Sequence, residues 1–284
     1  SPIPQDPYAR SSQDSHLSFL PLCHVFERMA GWYLMLAVGA SVIYAENMDT
    51  IPDNMLEVRP TVMLGVPRFF EKLRARIQEA LQQAPPVTRR LAEWALAVGR
   101  AAALRSVTGQ RLPLWLAVQR FVADRLVFTR LKARLGGRLR FFISGSAPLA
   151  KEIGEFFYGM GVTILEGYGL TETSPVIAVN RPARLRFGSV GQAVPGVEVR
   201  IAEDGEVLTR GPHVMQGYYQ KPDATASTIV EGWLHTGDIG RLDEDGFLFI
   251  TDRKKDLIKT AGGKFVAPQK LENLFVIDPC ISQA

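Results

Sequence analysis

The sequence predicts an α/β fold built on a parallel sheet and joined to a β-rich subdomain. Three observations carry this. Before Arg186, apolar runs such as "ASVIYAE", "TVMLGV" and "LRFFIS" alternate with helical patterns, the order that parallel sheets need. After Arg186 the texture changes to short β segments with frequent turns: "GSVGQAVPGVEVRI", "GEVLTRG" and "GWLHTGDIGRLDEDGFLFI". Two apolar runs also end in small-residue loops, "SGSAPL" and "GYGLTET". Open α/β sheets bind ligands at such carboxyl ends of strands.

The elements follow in order. "LSFLPLCHVFERM" opens as a short apolar run and reaches a turn at Pro21. The longest apolar stretch, Met29 to Tyr44, falls short of the ~20 residues that span a bilayer. It reads as a buried helix running into a strand. "MLEVRPTVMLGVPRFFEKLRARIQEAL" gives a helix, a short strand and a second helix opened by Pro67, a residue favoured at the first helical position. From Val87 to Leu135 the pattern is helical, with apolar residues at three- and four-residue spacing. "LRFFISGSAPLAKEIGEFF" is a strand, a loop and a helix, and "GVTILEGYGLTET" is a further strand and loop. Near the end, "TDRKKDLIKTAGGKFVAPQKLENLF" reads as strand ends, a Gly-Gly turn and a helix from Pro268.

The 284 residues, 46% hydrophobic and 22% charged, describe a soluble globular protein of one or two domains. Cys23 and Cys280 form no C-x-x-C pair. That argues against a structural zinc site or disulfide framework and suits a reducing compartment. The first residues, "SPIPQDPYARSSQDSH", show no charged n-region followed by an apolar core.

Charge is unevenly placed. Between Arg59 and Arg140 there are seventeen Lys/Arg and four Asp/Glu, although the whole chain has 33 against 29. Three readings suit the basic helices: surface helices with snorkelling arginines, an amphipathic face on an anionic membrane, or a nucleic-acid surface. The last lacks interleaved aromatics and any binding motif.

The loops supply the chemistry. In "GYGLTET", Tyr168 offers a ring face to a planar base and Thr171 a hydroxyl to a phosphate. Glu172 offers a carboxylate to magnesium, a hard cation that often bridges to phosphates. The same residues also suit a plain tight turn. "SGSAPL" lets a base approach the backbone. "HTGDIG" presents Asp238 to ribose hydroxyls, and "TDRKKDLIK" presents Arg253. "TAGGK" lacks the spacing of a P-loop.

The set and its order resemble the acyl-CoA synthetases of the adenylate-forming (AMP-binding) superfamily. The motifs are "SGSAPL", "EGYGLTET", "GEVLTRGPHVMQGYY", "WLHTGDIG" and "TDRKKDLIKTAGGKFVAPQKLE". "LPLCHVFERM" and the basic helical insert look most like the long-chain fatty acid-CoA ligases. The resemblance implies ATP-dependent activation of a fatty acid to an acyl adenylate, then transfer to coenzyme A, with Mg2+ as the metal. It assigns Gly145, Ser146 and Ala147 to the adenine pocket, with Tyr168 stacked on the base and Gly169 also in the nucleotide site. Thr171 would hold the α-phosphate, Glu172 the magnesium, and Asp238 the ribose with Arg253 beside it. His24 would lie near the acyl carboxylate; its structural alternative is a core or turn histidine. Lys255 would be the hinge to a mobile C-terminal domain. Lys259, Gly262 and Gly263 would act in the thioester-forming state, or else form a simple Gly-Gly hairpin.

Two family parts are missing: the phosphate loop upstream of "LPLCHVFE" and the lysine far down the C-terminal domain. The chain therefore reads as an interior fragment, expected to be impaired in isolation. Residues 1–254 would be a partial AMP-binding domain, with an α/β part over 1–185 and a β-rich part over 186–254. Residues 255–284 would begin a truncated C-terminal domain. A cytoplasmic protein with peripheral membrane contact through residues 87–135 is expected. The rival readings are an adenylating enzyme for another carboxylate and a non-catalytic nucleotide-, acyl- or membrane-binding fragment.

Overall fold

A computed structural model describes residues 11–256, 258–259 and 265–266. The chain divides into two compact units, Ser1–Leu165 with Arg181–Phe187, and Glu166–Asn180 with Gly188–Ala284. The segment Glu166–Asn180 thus groups with the β-rich part, although it precedes the change of texture at Arg186. Its reason is strand pairing. The end of β5 (Thr163–Gly169) runs antiparallel to β6 (Val176–Val179), with Gly167 opposite Val179.

In the first unit, β1 (Ser15–Ser18), β2 (Ser41–Tyr44), β3 (Val62–Gly65) and β4 (Phe141–Ser144) pair in parallel, in the order β2-β1-β3-β4. β5 lies next to β4. Every residue of β3 and β4 is buried, as expected of a parallel sheet covered on both faces. Successive side chains point to opposite faces. Met63 and Phe142 join one apolar cluster, while Val62, Leu64, Phe141 and Ile143 join another.

Helices α2 (Ile51–Val58), α3 (Pro67–Gln82), α4 (Pro86–Val107) and α7 (Lys151–Gly159) supply the first cluster. Phe70 and Phe142 meet edge to face there, 5.2 Å between centroids, the geometry their ring quadrupoles favour. α4 turns Ala92, Ala95, Val98, Gly99 and Ala102 inward. At Gly99 an added Cβ would lie 3.0 Å from the Phe128 ring and collide with the Gly159 carbonyl.

The apolar stretch from Met29 is less enclosed than expected. A π-helical segment, Glu27–Tyr33, runs into α1 (Leu34–Ala37). Ala30, Gly31 and Met35 are buried, but the helical period carries Tyr33 and Leu36 outward, to 48% and 53% exposure.

Polar groups pin this helix to the sheet. Glu27 is fully buried, and its Oε1 lies 2.8 Å from His16 Nε2 and accepts the Ser18 hydroxyl at 2.6 Å. His16 Nδ1 lies 3.2 Å from the Val62 carbonyl. Both ring nitrogens therefore face acceptors. A Cβ on Gly31 would sit 2.7 Å from the Glu27 carboxyl carbon and 2.8 Å from His16 Nε2, so only glycine passes over the pair. A second buried carboxylate, Asp14, accepts from Thr61 and Arg140 at 2.6 Å each. Burial opposes its ionisation, but these donors outweigh it and hold its pKa below the usual value.

The second unit is antiparallel. β9 (Glu206–Arg210) lies between β8 (Glu198–Ile201) and β11 (Trp233–Leu242), and β12 (Leu248–Arg253) pairs with the other side of β11. Ala178, Val207 and Leu248 form its core, with Tyr168 packed against them. The β11–β12 register shifts between Ile239 and Gly240, and the β11–β9 register between His235 and Ile239. Such irregularities re-aim side chains beside functional sites.

Candidate nucleotide site

The stretch "GYGLTET" leaves β5 into a 3-10 turn, Thr171–Thr173, before β6. Neither glycine serves a left-handed turn: Gly167 and Gly169 are absent from the positive-φ residues. Gly169 serves a close approach instead. A Cβ there would overlap the Pro175 carbonyl oxygen and lie 2.6 Å from its carbon. The fully buried Thr173 clamps the same loop. Its hydroxyl lies 2.6 Å from the Pro175 carbonyl and accepts the Leu170 N–H at 2.9 Å.

The clamp fixes two neighbours. The Met215 N–H donates to the Glu172 carbonyl at 2.8 Å, and Tyr218 donates its hydroxyl to Glu172 Oε1 at 2.8 Å. Tyr168 donates its hydroxyl to Asp238 Oδ2 at 2.6 Å, and Arg253 Nε lies 3.5 Å from Asp238 Oδ1. Burial first, then the Asp238 carboxylate, raise the Tyr168 phenol well above its ordinary pKa, so it stays a donor at neutral pH. Asp238 is itself buried.

Glu172, Tyr218, Asp238, Arg253, Lys254 and Lys255 line one cleft of about 570 Å³ in this unit. That volume lies within the ~300–1000 Å³ of small-molecule sites. Deeper in it, Glu206 accepts from Lys254 at 2.9 Å and from the Gly237 N–H at 2.9 Å, and lies 3.1 Å from His235 Nδ1. Burial works against its charge, but Lys254, His235 and Gly237 together hold its pKa below the usual value. Strongly perturbed groups gathered in a cleft mark functional sites.

The cleft thus brings together Glu172, Asp238, Arg253 and Lys255, with Tyr168 bonded to Asp238. Thr171 is exposed, and its hydroxyl makes no hydrogen bond among the described residues. His24, Gly145, Ser146 and Ala147 belong to the first unit. His24 is exposed and its Nδ1 accepts the Phe26 N–H at 3.2 Å. Gly145 passes under the Phe26 ring, where a Cβ would sit 3.1 Å away, and Ser146 takes a left-handed φ of 71°. The backbone of Lys259 lies in β13 (Ile258–Lys259), antiparallel to β14 (Phe265–Val266). Gly262, Gly263 and the helix expected from Pro268 lie outside the described residues.

Sequence reading did not single out Tyr218, Glu206, His235 or Lys254. Each lies inside a quoted motif, yet only the fold shows that their side chains converge. Among the described residues no group of three His, Cys, Asp or Glu could hold a metal. Glu172 alone suits magnesium, which is held by one or two carboxylates plus substrate phosphates. Its Oε2 makes no hydrogen bond among the described residues, and Tyr218 fixes the other oxygen.

Residues 3–219 match the AMP-binding enzyme family, and this chain belongs to that family. It is 42% identical over 272 residues to a long-chain-fatty-acid–CoA ligase of Mycobacterium bovis, covering 94% of this chain and 44% of the relative. It is 39% identical over 284 residues to long chain acyl-CoA synthetase 1 of Arabidopsis thaliana, covering 92% and 41%. The ATP-bound structure of MatB from Rhodopseudomonas palustris superposes with a TM-score of 0.67 at 29% identity, covering 95% and 46%. An O-succinylbenzoate coenzyme A synthetase from Bacillus subtilis, with ATP and magnesium, shares the fold at 22% identity and a TM-score of 0.68, covering 97% and 49%. The mixed α/β architecture is that of the adenylate-forming enzymes' large domain. The chain spans less than half the length of each of these four proteins.

Proposed function

We propose that this chain carries nucleotide-binding residues of an acid–thiol ligase that joins a long-chain fatty acid to coenzyme A. The carrying observation is Asp238. Its buried carboxylate lines the cleft, held by Tyr168 and Arg253. A carboxylate accepts from ~four donors, so a ribose diol is compatible with the Tyr168 bond. Family membership and the names of the relatives support the rest.

The reaction has two steps. A fatty carboxylate oxygen attacks the α-phosphorus of ATP, a P–O bond forms, and pyrophosphate leaves. The coenzyme A thiol then attacks the acyl carbonyl, a C–S bond forms, and AMP leaves with the bonding pair as the thiol proton is lost. Mg2+, when bound, offsets phosphate charge. Glu172 would hold it, oriented by Tyr218. Thr171 would donate to the α-phosphate and Arg253 would flank the ribose. The hydroxyl of Tyr168 orients Asp238, while its ring and Gly169 lie beside the base. In the first unit, Gly145, Ser146 and Ala147 take the adenine role, and His24 the acyl-carboxylate role. Lys255 is assigned the hinge, and Lys259, Gly262 and Gly263 the thioester-forming state.

Calorimetry with non-hydrolysable acyl-adenylate mimics tests this. Saturable binding that tightens with acyl chain length is expected. Preference for an aryl or aminoacyl mimic would point to another carboxylate. No binding by folded protein would leave a non-catalytic module.

A specific observation favours membrane contact as well. In α5 (Leu114–Ala123), Leu116 and Ala123 face the core. On the opposite side Leu114, Trp115, Val118 and Phe121 are 82%, 60%, 54% and 67% exposed. Arg111, Arg125 and Arg130 flank them, all exposed, and the one nearby acid, Asp124, is paired with Lys132 at 2.8 Å. α4 contributes less: its apolar side is buried, and Arg89 and Arg100 lie near Glu93 and Glu155. No described helix is long and apolar enough to cross a membrane. An apolar face rimmed by arginine suits an anionic lipid surface, each nearby basic residue adding ~1 kcal/mol. Co-sedimentation with anionic vesicles at low salt is expected, and Trp115→Glu with Phe121→Glu should abolish it. Wild-type protein that stays in the supernatant would remove this surface from the reading.

A further inference from the structure

We propose a second binding site, for the anionic head and first methylenes of a single-chain lipid, in a cleft between α2 and α3. It occupies about 170 Å³ in the first unit, below the ~300–1000 Å³ of sites that enclose a whole drug-sized ligand. It therefore admits part of one chain. The floor is apolar: Ile51, Met55 and Leu135 are almost fully buried, with Phe69 and Leu73 forming the wall. Arg68, Lys72, Arg76 and Arg134 stand around it, and Asp49 is the one acid in the lining.

Three of these cations follow one another at i, i+4 and i+8 along α3, where like charges destabilise a helix. None of the four makes an ion pair or side-chain hydrogen bond among the described residues, although Arg68 lies near enough to Glu71 to act on its charge. Some other basic residues of the unit are engaged. Arg140 binds Asp14, Arg100 lies 3.3 Å from Glu155, and Arg74 lies over the Phe156 ring.

The cleft is also built to hold its shape. Arg59 donates from Nε to the Gly136 carbonyl at 2.9 Å. Gly136 has a φ of 87°, and any Cβ there would meet the end of α2, 2.9 Å from the Arg59 Cα. The turn carrying Arg134 and Leu135 is thus fixed against α2, and a preformed site loses less entropy on binding. Apolar floor and a rim of four cations against one acid together match an amphiphile with an anionic head. A neutral lipid would leave the rim unanswered, and a free anion would leave the floor wet. None of the residues in the nucleotide reading lines this cleft, so either site can fail without the other.

The probe is lysophosphatidate below its micellar concentration, titrated into the whole chain by calorimetry. Inorganic phosphate and a lysophosphatidylcholine of equal chain length are run beside it. Saturable binding of lysophosphatidate is expected, weakened at least tenfold by Lys72→Glu with Arg76→Glu, and separately by Arg134→Glu on another element. All three side chains are exposed, and circular dichroism checks that the variants remain folded. The proposal is overturned by absent binding, by binding that ignores these substitutions, or by equal affinity for the neutral lipid. Phosphate binding as tightly as the lipid would also overturn it, leaving an anion site only.

Discussion

Asp238→Ala is expected to weaken binding of an acyl-adenylate mimic about 100-fold or more while the chain stays folded. The carboxylate is the buried acceptor of the cleft, and hydrogen bonds to a charged group contribute ~1.5–3 kcal/mol each. Loss of both ribose bonds therefore removes at least two factors of ten. The substitution also strips Tyr168 of its partner at 2.6 Å. A buried hydroxyl left unpaired costs ~1–3 kcal/mol, so a lowered melting midpoint should accompany the loss. Tyr168→Phe separates the two effects. It keeps the ring and removes only the hydroxyl that orients Asp238, so a loss of ~10-fold or less is expected. If calorimetry shows Tyr168→Phe to be as damaging as Asp238→Ala, the carboxylate acts through the tyrosine and not on the ribose. Unchanged affinity in Asp238→Ala would end the nucleotide reading of this cleft.

Much of this arrangement is legible in the sequence, for identifiable reasons. Strands such as "TVMLGV" and "LRFFIS" are short apolar runs bounded by turn residues, and helices such as α3 carry a clear period and an opening proline. Asp238 and Glu172 stand out through the set and order of the motifs that carry them, since each motif alone also suits an ordinary turn; Asp238 in fact lies in β11. Glu27 is an acid inside the apolar run "HVFERM" that the sequence reading does not single out. Yet the buried partner it finds is His16, on a strand eleven residues earlier, and no local pattern distinguishes His16 from His24. His24, the histidine that the family motif singles out, lies exposed. Tertiary pairing also explains Glu206. Its three donors come from β11 and the residue after β12, and spacing along the chain does not reveal such a convergence. The stretch from Met29 to Tyr44 is less enclosed than its sequence predicts because hydrophobicity alone does not say how many sides of a helix are covered.

The glycines of "GYGLTET" illustrate the same limit and lead to the largest expected effect on stability. Permissive backbone suggested a sharp turn, whereas β5 stays extended and the second glycine is needed for contact. In Gly169→Ala the new methyl would overlap the Pro175 carbonyl oxygen, 2.6 Å from its carbon and 3.1 Å from the Val176 Cα. These are backbone atoms, so no rotamer relieves the clash. The carbonyl is held in place by the Leu170 N–H at 3.0 Å and lies 2.6 Å from the Thr173 hydroxyl. Moving it would break the pairing of Gly169 with Val176 and shift Glu172 away from Tyr218. Ordinary overpacking costs ~1–3 kcal/mol. Here lost backbone hydrogen bonds add to that, so a loss above ~4 kcal/mol or failure to fold is expected. Gly167→Ala is the internal control. Its nearest neighbour would be the Ala178 carbonyl at 3.6 Å, an ordinary contact, and alanine also restricts the unfolded chain. Urea unfolding of the two variants should therefore separate sharply, with Gly167→Ala within ~1 kcal/mol of the parent. Equal midpoints would mean that the loop yields at Pro175 and that its clamp does not fix Glu172.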